Sequence, residues 1–84
     1  MLKAVAIKID DIYIPADRRK ERDPARIESF AENIIDEVEV EPIRVRKGKD
    51  KNKYVLVRGV NRLEARKELG DETIFAYVVQ ALQR

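Results

Sequence analysis

A glycine between a predicted strand and a predicted helix is the first feature of this sequence that could do chemistry. Residues 54–57 form a continuous apolar run, Gly59 breaks it, and a helical pattern follows from about Asn61. A strand that passes straight into a helix exposes free backbone amides, which attract anions together with the helix dipole. Gly59 would let a ligand approach the backbone closely, and Asn61 would cap the helix or adopt unusual backbone angles.

Arginines surround this junction. Arg58 precedes the glycine, whereas Arg62 and Arg66 are four residues apart and share one stripe of the predicted helix. The planar guanidinium group donates hydrogen bonds in a fork that suits phosphate. The sequence therefore predicts phosphate binding at residues 58–62. The structural alternative is an ordinary strand–helix junction with surface arginines.

The first predicted helix offers a second group of polar side chains. Its apolar residues face one side, and Arg26, Ser29 and Asn33 lie together at one border of that face. A set of hydrogen-bonding side chains at such a border is suited to the wall of a cleft. Boundary positions are often polar, so ordinary boundary residues are the alternative.

The composition excludes several kinds of chemistry. The 84 residues contain no Cys and no His, which removes thiolate catalysis, the commonest metal ligand and the commonest general base. The net charge is only +2, so any anion site must be local, and no metal site is predicted. No apolar run reaches the length of a membrane span, and no signal-peptide pattern opens the chain. A single cytoplasmic domain over residues 1–84 is expected.

The elements that position these residues follow from periodicity and turn signals. The predicted order is β-α-β-β-α-β, an α+β fold with a small mixed sheet and two main helices. Strands are predicted at residues 5–9, 42–46, 54–57 and 74–79, and helices at 24–38 and 61–69.

Local signals refine these boundaries. Asp23 is expected to cap the first helix, with Pro24 at its first position, and this helix is expected to contribute most to the core. Gly70 is expected to end the second helix. The connecting segments are predicted as a solvated loop at residues 17–22, a hairpin tip at 47–53 and a terminal helical turn at 80–84.

The hairpin carries a second cluster of charge. Its basic residues could meet the phosphates of DNA or bind a protein partner, or they could simply keep the hairpin soluble. They are Arg44, Arg46, Lys47, Lys49, Lys51 and Lys53.

Four segments together resemble the ParB/sulfiredoxin fold, a family whose members commonly bind nucleotides. They are DPARIESF (23–30), PIRV (42–45), YVLVRGVNRLEA (54–65) and GDETIFAYVV (70–79). The resemblance implies phosphates on residues 59–62, with Arg62 matching the phosphate-binding Arg of sulfiredoxins. Arg26 stands where sulfiredoxins have a Lys that contacts the nucleotide, Ser29 matches a Ser, and Asn33 replaces a Thr.

The departures from this family limit the chemistry that it implies. Sulfiredoxins carry Gly-Cys-His-Arg at the turn, so Val60 and Asn61 stand here in place of the nucleophilic Cys and the His. Repair of an oxidised thiol is therefore excluded. ParB proteins carry Gly-Glu-Arg-Arg, of which this chain keeps the Gly and the last Arg. Related serine kinases have an Asp before the glycine, where this chain has Arg58.

The expected function is therefore nucleotide binding, with ATP or ADP and Mg²⁺ as ligands, and hydrolysis as an accompanying activity. Glu21 is the preferred base, because Asp23 is better explained as a helix cap. The alternatives are a DNA-binding or partition-type module that uses the basic hairpin, and a serine-type kinase or nuclease of the same fold.

Overall fold

The computed structural model describes residues 3–49 and 53–80. The strands are β1 (Ala4–Lys8), β2 (Ile12–Tyr13), β3 (Ile43–Lys47), β4 (Tyr54–Arg58) and β5 (Thr73–Val78). The helices are α1 (Ala16–Arg19), α2 (Pro24–Ile35) and α3 (Val60–Glu68), and a 3-10 turn spans Ile9–Asp11. Lys51 lies outside the described residues. Of the terminal turn predicted at 80–84, residues 81–84 lie outside them as well.

All five strands form one mixed sheet in the order β1-β5-β3-β4-β2. The pairs β1–β5 and β3–β4 are antiparallel, whereas β3–β5 and β2–β4 are parallel. The predicted mixed sheet and the β3–β4 hairpin are thus confirmed. Strand β4 has a neighbouring strand on each side, and its adjacent residues Val55 and Leu56 are both buried, which agrees with its lack of apolar–polar alternation.

The core lies between the sheet and α3. Its largest fully buried side chains are Ile43, Val45, Leu56 and Leu63. Helix α3 adds Val60 and Ala65 to this layer. The expectation that the first helix dominates the core is wrong, because α2 packs mainly on α3 and buries only Ile27.

The end of α2 also differs from the prediction. The helix stops at Ile35, and the apolar residues Ile35 and Val38 are 65% and 52% exposed. Glu37 has a φ of 62°, and the N–H groups of Glu37 and Val38 donate to the carbonyls of Ile34 and Asn33. This pair of hydrogen bonds is the Schellman arrangement, which ends a helix through a left-handed residue.

The segment before α2 is more regular than the predicted loop. Ile12–Tyr13 add a short strand beside β4, and Ala16–Arg19 form one helical turn. Arg19 Nε donates to the Ile14 carbonyl at 2.9 Å, and its guanidinium lies 5.9 Å from the centre of the Tyr13 ring. These contacts fix the charged segment to the sheet edge.

Candidate functional site

The amino end of α3 presents free backbone donors. Gly59 occupies the cap position with a φ of 108°, and no side chain caps the helix. The first bond of the helix runs from the Leu63 N–H to the Gly59 carbonyl at 3.0 Å. Among the described residues, the N–H groups of positions 60–62 therefore have no helical acceptor, and they coincide with the positive end of the helix dipole.

Gly59 is required at this turn for two physical reasons. Its positive φ is costly for residues with a side chain. A Cβ atom at this position would also lie 2.7 Å from Cγ2 of Ile43 and 3.3 Å from Nη2 of Arg62. The turn therefore accommodates glycine alone, because the space that a Cβ would take is occupied by Ile43 and Arg62.

Arg62 is held beside this turn by the chain before β3. Its Nη1 donates to the carbonyls of Glu41 and Pro42 at 2.9 and 3.1 Å. The guanidinium carbon lies 5.9 Å from the centre of the Phe30 ring. Burial is the main cause that lowers the pKa of Arg62, and Arg58, Arg26 and Arg44 lower it further, whereas Glu41 acts in the opposite direction. The guanidinium is therefore immobilised within a cluster of like charges. An anion bound there would reduce the repulsion between them.

Asn61 connects α3 to the start of α2. Its side chain is 8% exposed, its Oδ1 accepts from the Asp23 N–H at 2.8 Å, and its Nδ2 donates to the Glu21 carbonyl at 3.2 Å. Asn61 therefore holds the segment before α2 against α3, instead of capping its own helix as the sequence suggested.

A second contact supports the same junction. Nη2 of Arg22 lies 2.7 Å from Oε2 of Glu64, an ion contact without hydrogen-bond alignment. Asp23 in turn caps α2, because its Oδ1 accepts from the Ala25 N–H at 3.0 Å, as predicted. The segment 21–23 is thus fixed to α3 on one side and starts α2 on the other.

The start of α2 and the turn at residues 59–62 form the two walls of an open cleft of about 180 Å³. This volume is below the range of about 300–1,000 Å³ that is usual for a whole small-molecule ligand, and it suits a phosphate chain better than an enclosed base. The cleft is lined by Glu21, Arg26, Phe30, Arg58, Gly59, Asn61 and Arg62.

The remaining predicted binding residues lie outside this lining. The Val60 side chain is buried in the core, so it cannot contact a ligand in the cleft. Ser29 is exposed and Asn33 is half-buried on α2. Their roles in binding stay predictions.

Glu21, the proposed base, lines the cleft, but its carboxylate is already paired. Oε2 of Glu21 lies 3.0 Å from Nη1 of Arg18, and the side chains are 53% and 36% exposed, respectively. Among residues 3–49 and 53–80, no group of three acidic side chains is arranged to hold a metal ion.

Some basic residues of the hairpin have defined neighbours in the fold, whereas others are exposed. Arg44 is paired with Arg58 across β3 and β4, and its guanidinium lies 5.8 Å from the centre of the Tyr77 ring. Arg46 is paired with Val55, and Lys53 Nζ lies 3.9 Å from Oδ2 of Asp11. Lys47 and Lys49 are exposed, and none of these lysines lines the cleft.

Sequence reasoning missed Phe30 and Arg44 as neighbours of the site. Helical spacing places Phe30 on the apolar face of its helix, and its spacing of four from Arg26 also places these two residues on one stripe. The sequence places Arg44 among the basic residues of the hairpin, because its pairing with Arg58 depends on a register that local patterns do not reveal. No helix of the described segments has both the length and the apolar character needed to cross a membrane.

Solved structures with the same fold include three informative neighbours. Sulfiredoxin from Arabidopsis thaliana is 23% identical, with a TM-score of 0.77, over 94% of this chain and 86% of that chain. The chromosome-partitioning protein ParB from Caulobacter crescentus, solved in complex with CTP-gamma-S, is 22% identical with a TM-score of 0.79. A conserved hypothetical protein from Pyrococcus furiosus is 18% identical with a TM-score of 0.74 over 98% of this chain and 34% of that chain.

These identities are low enough that the likeness concerns the fold alone. The match to ParB covers 96% of this chain but 46% of that chain, so this chain spans less than half of the ParB structure. No curated protein sequence matches the chain. Residues 2–84 match the ParB N-terminal domain as a sequence family. The chain therefore belongs to the ParB N-terminal domain family, and its fold is that of ParB and sulfiredoxin.

Proposed function

We propose that this domain binds a nucleotide through its phosphate groups, in the cleft between α2 and the turn at residues 59–62. The observation that carries the proposal is the Arg62 guanidinium, held by the carbonyls of Glu41 and Pro42 beside free amides at the start of α3. Fixed cationic donors beside a helix amino end bind phosphate without costly rearrangement.

The ligand class is supported by the charges around the cleft. Arg26 and Arg58 line it together with Arg62, and Glu21 is the only acidic side chain among its described lining residues. Such a site matches a ligand with several negative charges. The ParB neighbour was solved with CTP-gamma-S, which adds CTP to ATP and ADP as the ligands to test. Mg²⁺ would accompany a triphosphate and neutralise part of its charge.

Binding is tested by thermal denaturation with ATP, ADP, CTP and GTP in the presence of Mg²⁺. A ligand that binds only the folded state raises its stability by mass action. We expect stabilisation of the wild-type domain, a weaker effect for Arg62→Lys, and an unchanged effect for Arg46→Gln, which lies outside the cleft. Stabilisation that is equal in Arg62→Lys and wild type would place the ligand elsewhere.

Hydrolysis is a separate step of the proposal. Glu21 is the carboxylate that would take a proton from an attacking water, because it is the acidic side chain that lines the cleft. Phosphate release should be lost in Glu21→Gln, while nucleotide binding is retained. Equal release by the variant and the wild type would remove Glu21 from the mechanism.

A partition-type module that contacts DNA is the second candidate. It is favoured by the position of Arg46, Lys47 and Lys49 on the hairpin, away from the cleft lining. Binding through these residues should weaken steeply as salt rises, because it depends on counterion release. A duplex that shows no binding at low salt would exclude this role.

A further inference from the structure

The β3–β4 hairpin contains one irregularity beside the cleft. Val45 is paired with Leu56, but the next pair joins Arg44 to Arg58, so Val57 is an extra residue in β4. Such a bulge re-aims the side chains that follow it, and bulges are frequent next to binding sites. Without it, Arg44 would lie opposite Val57, and Arg58 would be displaced from its partner.

The bulge therefore places two cations directly opposite each other. Like charges at opposed positions of an antiparallel pair destabilise a sheet. Within the described residues, no carboxylate lies within 4.0 Å of either guanidinium, as is also the case for Arg19, Arg26 and Arg46. The fold accepts this repulsion without neutralising it.

The two guanidinium groups are placed differently around the cleft. Arg58 is exposed, lines the cleft and immediately precedes Gly59. Arg44 lies on the neighbouring strand β3, where the Tyr77 ring, 5.8 Å from its guanidinium carbon, supports it through a cation–π contact. Both lower the pKa of Arg62 through their charge, so all three lie within electrostatic reach of one another.

We propose that Arg44 and Arg58 together bind a further phosphate group of the ligand, next to the phosphate held by Arg62 and the turn, and so make the site selective for nucleoside triphosphates. This inference rests on the proposed function, because it assumes that the turn binds phosphate. The polyphosphate chain would supply the negative charge that the Arg44–Arg58 pair lacks in the free protein. Tyr77 acts as a positioning residue that orients the Arg44 guanidinium.

The experiment compares the affinities of CMP, CDP and CTP, each with Mg²⁺, for the wild type, Arg44→Gln and Arg58→Gln. The wild type should bind CTP at least about tenfold more tightly than CMP. Each variant should lose about tenfold or more in CTP affinity, the size of one charge-assisted hydrogen bond. Arg44→Gln should keep CMP affinity within about twofold, because Arg44 is not among the residues that line the cleft. Arg46→Gln is the matched control, because it removes an arginine from the same strand opposite Val55.

A second variant separates binding from folding. Arg44→Glu should form an ion pair with Arg58, so the melting temperature of the free protein should rise while CTP affinity falls more than in Arg44→Gln. If Arg44 had only a structural role, the melting temperature and the CTP affinity would change in the same direction. That result would overturn the inference.

The remaining outcomes are distinguishable. Equal wild-type affinities for CMP and CTP would overturn the selectivity and leave phosphate binding at the turn intact. No binding of any nucleotide by the wild type would overturn the proposed function and this inference with it. Loss of duplex DNA binding in Arg44→Gln and Arg58→Gln, with unchanged CTP affinity, would assign the pair to a DNA backbone instead.

Discussion

Asn61 and Asp23 are joined by a hydrogen bond that spans 38 residues of the chain, with the Asp23 N–H donating to Asn61 Oδ1 at 2.8 Å. The other end of the same amide donates to the Glu21 carbonyl. One buried side chain thus satisfies a donor and an acceptor of a segment that has no regular structure. The relative position of the two cleft walls depends on this contact.

Replacing Asn61 by Ala should lower the free energy of unfolding by about 2 kcal/mol, because the Asp23 N–H and the Glu21 carbonyl lose their partner. Urea denaturation measures this loss. Asn33→Ala is the control, since Asn33 is half-buried and its side chain makes no hydrogen bond within the described residues; its effect should stay within about 0.5 kcal/mol. Equal losses in the two variants would contradict the role of Asn61.

Gly59→Ala should destabilise the domain by about 2–5 kcal/mol, because left-handed strain adds to a clash between the new Cβ and Ile43. Gly70→Ala is a matched comparison. Gly70 also has a positive φ, of 79°, but a Cβ there would meet no atom within 4 Å. Gly70→Ala should therefore lower the free energy of unfolding by only about 1–2 kcal/mol in the same denaturation experiment. If both variants lost the same stability, the close approach of Ile43 would not matter.

The ends of α2 and α3 allow an exchange experiment. Both use the Schellman pair of hydrogen bonds, but Glu37 occupies the left-handed position in one and Gly70 in the other. Glu37→Gly should therefore raise the free energy of unfolding by about 1 kcal/mol, and Gly70→Glu should lower it by a similar amount. Thermal unfolding of both single variants and of the double variant checks the opposite signs. A Glu37→Gly variant less stable than wild type would reject the argument.

Leu63→Ala should destabilise the domain by about 2–5 kcal/mol, because Leu63 is fully buried between α3 and the sheet. Ile35→Ala removes a side chain of similar size from α2, yet it should change stability by no more than about 0.5 kcal/mol, because Ile35 is largely exposed. Denaturant midpoints of the two variants measure the contrast. Similar losses would mean that α2 contributes to the core as the sequence suggested.

That contrast shows what helical periodicity can and cannot predict. The apolar residues of α2 do share a face, but periodicity does not say which surface covers that face. Here α2 packs on α3 but buries only Ile27, and the helix ends at the exposed Ile35. The strands of the β3–β4 hairpin were predicted within one residue, because alternation and turn residues are local signals.

The site was likewise predictable only where its residues are neighbours in sequence. The phosphate turn follows from one glycine and its arginines, which are neighbours in sequence. By contrast, the tie from Asn61 to Asp23 and the pair formed by Arg44 and Arg58 join segments that meet only in three dimensions. The two-residue strand β2 is likewise defined by its partner β4, and no pattern of its own could reveal it.

The Asn61 tie also determines how the cleft responds to heat and denaturant. The segment 21–23 is held to α3 by side chains, outside the backbone ladder of the sheet, so it can separate without unfolding the strands. Its amide hydrogens should then exchange with solvent faster than those of β3. A ligand that contacts both Arg26 and the turn binds only the closed arrangement, and it should slow that exchange in proportion to its affinity. Ligand occupancy and the integrity of this junction are, in thermodynamic terms, one linked equilibrium.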